Sequence, residues 1–188
     1  MLRKMKGFTL IEMLIVVAII GILAALLIPN AMSALQKAKQ KGTVKDINTI
    51  ATAFMDHVTD KGNVPAHAGP ITGPADTAVT ALQGFYMKVF PLKDQWGNYY
   101  VVNTRDAITN EFGIELASGE LEGVDDFVVG SYGRDGVETT TYAYDITDPS
   151  KGLYEVGSMK DFDNDIANWN GSIVVGPRTS GGGTAAAS

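Results

Sequence analysis

Three groups of residues in this chain have side chains of types that could do chemistry, and their spacing sorts them. The first is Glu12, the one charge in FTLIEMLIVVAIIGILAALLIP, where every residue from Met13 to Ile28 is apolar or Gly. A carboxylate deep in an apolar medium costs roughly 2.5 kcal/mol or more on insertion scales, so Glu12 calls for a partner. The sequence offers no obvious one within the chain. The second group is the acidic run Asp161-Phe162-Asp163-Asn164-Asp165, whose alternating carboxylates have the spacing with which a hard-cation loop begins. An EF-hand is excluded: counted from Asp161, the sixth and twelfth positions are Ile166 and Ser172, where Gly and Glu are required. The third is the histidine pair, His57 and His67, which has no metal-ligand or catalytic spacing. The absence of cysteine excludes a thiolate zinc site, a cysteine nucleophile and a disulfide scaffold. Gly130, Gly133 and Gly136 do not form a phosphate-binding fingerprint. A membrane-tethered enzyme finds little support, since no nucleophile–base or carboxylate pair can be assigned.

The elements that must carry these groups follow from the patterning. The apolar run with Phe8 to Ile11 is about 21 residues, roughly 31 Å as a helix, which matches a bilayer core. Arg3, Lys4 and Lys6 precede it without an acid, which predicts a cytoplasmic N-terminus and an exported remainder. A secretory signal peptide fits poorly, because the run continues into a helical Lys/Gln/Ala segment and its one small pair, Ala24-Ala25, lies inside it. Pro29 is expected to kink or break the helix. From Asn30 to about Lys61 the residues favour helix. Val44, Ile47, Ala51, Phe54 and Val58 form one apolar stripe that suits packing on a sheet. Lys37, Lys39, Lys41 and Lys45 give that helix a basic surface, suited to solvent, lipid headgroups or acidic neighbours. Gly62 to Gly84 reads as a loop with at most one short helix near 75–82.

Over 188 residues the net charge is −6, and past Gly62 there are 17 acids against 7 bases. The length suits one compact domain with an appendage, or two very small domains, and the acidity argues against a nucleic-acid coat. The end, Thr179 to Ser188, is low-complexity and reads as a loose tail.

Lys6-Gly7-Phe8-Thr9-Leu10-Ile11-Glu12, followed by the apolar helix, resembles the class III signal of type IV pilins and type II secretion pseudopilins. Three further segments resemble major, G-type pseudopilins in the family's order. Asp94-Gln95-Trp96-Gly97-Asn98-Tyr99 resembles its D-P-W-G-x-P-Y, with Gln95 and Tyr99 replacing the prolines. Asp126 to Gly136 resembles its strand followed by S-x-G-x-D-G, and Asp161 to Trp169 resembles its D-D-I-x-N-W close. Trp96 is expected to anchor its turn to the core, with a strand starting over Tyr99 to Val102.

The resemblance implies an α+β, pilin-like fold: a long N-terminal helix, transmembrane in its first half, packed on a small antiparallel sheet with a C-terminal metal-binding loop. It implies a leader, 1–7, removed by a prepilin peptidase between Gly7 and Phe8, with Phe8 N-methylated. The assembly helix is then 8–29, the stalk 30–61, the head 62–178 and the tail 179–188. Glu12 would meet the new Phe8 amine of a neighbouring subunit, and the Gly21–Pro29 span would be a place for local unwinding in a filament. The implied cofactor is calcium, its role carried to Asp135, Asp163 and Asp165, with Asp161 an extra ligand and carbonyls near Tyr132 completing the shell. The 25-residue insert between Asp135 and Asp161 departs from the family and suggests an added hairpin strand around Tyr142, Tyr144 and Ile146. The implied function is a structural subunit of a periplasmic pseudopilus driving type II secretion, not an enzyme. Its partners would be further copies of itself, an inner-membrane assembly platform, minor pseudopilins and membrane lipid, in a Gram-negative bacterium. The alternative is a type IV pilus major pilin, against which the lack of a cysteine-closed loop argues.

Overall fold

The computed structural model describes residues 7–108, 111–114, 123–145 and 147–178. Leader residues 1–6, the tail 179–188 and Ile146 lie outside them. The chain divides into two units, residues 1–37 and 38–188, and helix α1 (Leu10–Lys61) contributes to both.

In the first unit, α1 leaves its large apolar side chains exposed, with Leu10 at 83% and Leu26 at 69%. By length and composition the helix is able to cross a membrane. It is not broken at Pro29. Proline removes a single ladder donor, and the Leu-, Ile- and Ala-rich turns before it and the Ala/Lys/Gln turns after it sustain the helix on either side. The Asn30 side-chain amide donates to Leu26 O at 3.3 Å next to the gap.

In the second unit the predicted stripe faces inward. Ile47, Ala51 and Phe54 are buried, and Val44 and Val58 pack on the edge of the same core. They meet a five-stranded sheet of order β1-β2-β4-β5-β3: β1 (Val101–Thr104), β2 (Phe127–Ser131), β3 (Leu153–Tyr154), β4 (Ile166–Trp169) and β5 (Ser172–Pro177). Successive residues of a strand point to opposite faces. Val102, Phe127, Val129 and Ile166 therefore face α1, and the Phe54 and Phe127 rings stack with centroids 5.0 Å apart.

The sheet is mixed, which corrects the expected antiparallel one. Strands β1/β2, β2/β4 and β4/β5 pair antiparallel, but β3 runs parallel to β5, Leu153 opposite Gly176 and Tyr154 opposite Pro177. The insert supplies β3, and this short strand covers an edge of β5 that would otherwise present unpaired backbone groups. The expected strand at Tyr142 and Tyr144 does not form. Their rings reach the outer face of the sheet from irregular chain, Tyr142 against Tyr154 and Tyr144 edge-on to Trp169. There they join a second core of Val101, Phe112, Val128, Ala167 and Val175. The spacing Tyr-x-Tyr thus marks two rings on one apolar face, not a ladder.

Helix α2 (Thr77–Leu82) begins at Asp76, whose carboxylate accepts the Ala78 N–H. The β4–β5 hairpin turns on Asn170 and Gly171, both with positive φ (47° and 91°). Asn-Gly is the residue pair this tight turn favours.

Candidate assembly and cation sites

At the start of α1 the chain supplies Glu12 with a partner, contrary to the sequence expectation. Thr9 N–H donates to Glu12 Oε2 at 2.9 Å and the Thr9 hydroxyl donates to the same oxygen at 2.6 Å. In return Glu12 N–H donates to Thr9 Oγ1 at 3.3 Å. This is a reciprocal capping box, readable in advance as Thr-x-x-Glu before an apolar run. It satisfies hydrogen-bonding capacity but brings no positive charge. Phe8, one residue before the cap, is 75% exposed. Gly21 has open space where a Cβ would stand.

In the second unit, the segment after β2 folds onto the segment before β4. Arg134 N–H donates to Phe162 O at 2.8 Å. A Cβ on Gly133 would lie 2.7 Å from the carbonyl oxygens of Asp163 and Asn164, so only glycine permits this approach. The four aspartates named from the sequence are sorted by this closure. Asp163 takes a bidentate pair from Arg134, Nε to Oδ1 at 2.7 Å and a terminal nitrogen to Oδ2 at 3.0 Å. Asp161 accepts the N–H groups of Gly157 and Ser158 and caps the 3-10 turn Met159–Asp163. Asp135 accepts the nearby Val137 N–H at 3.1 Å. Asp165 is 1% exposed: its Oδ2 accepts Thr139 N–H at 2.8 Å, while its buried Oδ1 has no hydrogen-bond partner among the described residues.

Burial pushes the Asp165 carboxyl up to about 7, against the pull of the Thr139 N–H, and the negative charges of Glu138, Asp135 and Glu111 add to the rise. Those glutamates were not singled out from the sequence. Glu111 accepts the Tyr132 hydroxyl and Glu138 accepts Phe112 N–H, so folding alone brings them near Asp165. Among the described residues, no three carboxylate or imidazole groups converge as a ready-made metal cage.

The Asp94 turn is organised differently from the expectation. Trp96 is only partly buried, whereas Asp94 is 6% exposed. One carboxylate oxygen of Asp94 accepts N–H groups from Trp96, Gly97 and Asn98, and the other accepts the Ser131 hydroxyl at 2.7 Å. Asn98 then donates to Gly133 O at 2.8 Å, which ties this turn to the loop after β2. The histidines serve structure: His57 meets Asn63 O, and His67 bridges Val102 O and Asp76.

Residues 2–28 match the prokaryotic N-terminal methylation motif. Type II secretion system core protein G of Vibrio cholerae is 32% identical over 144 residues, which is 74% of this chain and 89% of that protein. The chain belongs to the core protein G family. Core protein G of Aeromonas hydrophila is 29% identical over 174 residues, covering 89% of this chain and 94% of that protein. The type IV wide pilus major component PilA4 of Thermus thermophilus is 49% identical, but over 55 residues, 29% of this chain and 36% of its own length. No solved structure matches significantly. Likeness to core protein G thus extends through the head, while likeness to the pilus component covers less than a third of the chain.

Proposed function

We propose that this chain is the structural subunit of a periplasmic pseudopilus, a homo-polymer that drives export of folded proteins by type II secretion. The observation that carries the reading is the union, in one chain, of the methylation motif with similarity across 89% of a core protein G. On this reading a prepilin peptidase cuts between Gly7 and Phe8, and the Phe8 amine is methylated. Helix α1 then holds the subunit in the inner membrane, head outward in the periplasm, beside the assembly platform, minor pseudopilins and lipid. Gly21 and Pro29 bound the span where the helix can adjust on assembly. A surface type IV pilin is the second reading, favoured by the short PilA4 similarity.

Glu12 is the assembly device. Its cap on Thr9 lowers the cost of carrying the carboxylate into lipid, but charge neutralisation awaits the Phe8 amine of a neighbour. Glu12→Gln keeps a hydrogen-bonding cap and removes the charge. Electron microscopy of sheared fibres should show a loss on the order of a hundredfold for this variant, as removal of one partner of a buried charge pair implies. Mass spectrometry should still find a cleaved, methylated Phe8 in the membrane fraction. Wild-type-like fibres from Glu12→Gln would overturn the charge-pairing role.

We further propose that the head takes one calcium ion beside Asp165. The buried, unpartnered Asp165 oxygen fits a hard cation, and Asp135 is close enough for its charge to act on Asp165. With Asp163 held by Arg134 and Asp161 in its cap, the ion falls to Asp165, Asp135 and backbone carbonyls. When bound, it would neutralise the clustered charge and pin the loop. Chelation should make the wild-type head protease-sensitive, and Asp165→Asn should abolish that calcium response. Equal proteolysis of the wild type with calcium or chelator would count against the ion.

A further inference from the structure

The last two turns of α1 carry a surface feature that the functions above leave unused. Asp56 and Asp60 are exposed and stand four residues apart, hence on one face of the helix. With Thr59, Phe85 and Tyr86 they line an open cleft of about 290 Å³. Phe85 is 82% exposed, held against the edge of Tyr86 with ring centroids 4.8 Å apart. Acids at a helix C-terminus oppose the helix dipole. Among the described residues no salt bridge offsets either aspartate. An aromatic face beside two carboxylates is a receptor for a long cationic side chain: the carboxylates take the charge, and the ring takes the aliphatic stem or the cation itself.

The same helix carries the matching row. Lys41 and Lys45 are exposed, four residues apart, and Lys37 continues the spacing. No salt bridge engages them among the described residues. The nearest acid along the chain, Asp46, accepts Gln95 and Tyr100 instead. Two rows of opposite charge and equal pitch on one helix cannot meet within that helix. They can meet between parallel copies displaced along the axis. A shift of 15 residues, roughly 22 Å, sets Lys41 by Asp56 and Lys45 by Asp60. A shift of 19 residues, about 28 Å, sets Lys37 and Lys41 there.

We propose that the Asp56/Asp60/Phe85 cleft is the docking surface for the Lys37/Lys41/Lys45 row of a second copy of this chain. The contact is heterologous, one face on one copy and a different face on the next, so repetition yields an open fibre and not a closed dimer. This inference rests on the homo-polymer reading and assigns it a second, extramembrane contact besides Glu12. Ionic pairing at an exposed surface also makes it sensitive to salt.

The test uses the full-length chain in membranes, where the lack of native cysteine makes engineered pairs unambiguous. Asp60→Cys is combined with Lys45→Cys or Lys41→Cys and treated with a short bismaleimide. One of the two combinations should give a ladder of dimers, trimers and higher species, while each single variant gives none. In parallel, Asp56→Lys/Asp60→Lys should cut fibre yield at least about tenfold, and adding Lys41→Glu/Lys45→Glu should restore it. Membrane insertion and head proteolysis should stay at wild-type levels throughout. If wild-type fibres form but neither pair ladders and the charge swap does not restore yield, the docking surface is wrong while the polymer stands. If the lysine reversals alone impair membrane insertion, the row serves lipid headgroups and the proposal falls. If the wild type forms no fibre at all, the homo-polymer reading itself has failed.

Discussion

Asp94 and Asp165 are both buried carboxylates, yet their surroundings give them opposite energetics. Asp94 accepts four donors and closes the turn that leads into β1. Asp94→Ala leaves the Trp96 and Asn98 N–H groups and the Ser131 hydroxyl without this acceptor, while Gly97 N–H keeps Asp94 O. The substitution should lower head stability by about 3 kcal/mol, read from the urea midpoint. Asp165 has one donor and three acidic neighbours, and its carboxyl sits at about 7 in the folded head. Its folded value lies above the unfolded 3.8, so the folded state binds the extra proton. In chelator, the Asp165 contribution to stability is highest below pH 4, declines as pH rises toward 7, and is level above that. The full penalty at pH 8 is at most about 4 kcal/mol. Asp165→Asn should flatten this slope and leave the chelated head more stable than wild type at pH 8, measured by thermal melts across pH. A slope unchanged by the substitution would place the titration elsewhere.

The sheet is an element buried on both faces, and that limits which strand residues can change. Gly130 in β2 lies against the Phe112 ring, and a Cβ there would stand 2.7 Å from Ile166 O in β4. Neither the backbone nor a ring fixed in the second core can give way cheaply. Gly130→Ala should therefore cost about 1–3 kcal/mol, although alanine is ordinarily the better residue inside an element. Calorimetry checks it; a neutral result would mean that the Phe112 face is loosely packed. Gly42 illustrates the converse in α1. Glycine ordinarily weakens a helix interior, but Gly42 makes room for the Gln95 side chain, which would lie 2.9 Å from a Cβ and reaches Asp46 at 2.9 Å. The Ile47/Ala51/Phe54 stripe was legible because a helix repeats its face every three to four residues. The capping box and the Asn170-Gly171 turn were equally local signals, and both were overlooked.

For the whole molecule, one helix belongs to two solvents. Its first half exposes apolar side chains, and its second half buries them against a sheet. The proposed filament would account for both, with the exposed half in lipid before assembly and against other helices after it. Local chemistry determined the apolar span, the charge inside it, the processing motif, the helical stripe and the turn residues. Each depends on neighbours within a few positions, so periodicity and spacing report it directly. Tertiary structure alone decided that the sheet is mixed, that the insert's tyrosines pack on a second core, and that Asp163 is held by Arg134 while Asp165 keeps an unpartnered oxygen. The β3–β5 pairing, the Thr139–Asp165 bond and the Arg134–Asp163 pair join residues 23, 26 and 29 positions apart. Sequence lists the available partners at such distances, but closure of the chain determines which of them come within hydrogen-bonding reach.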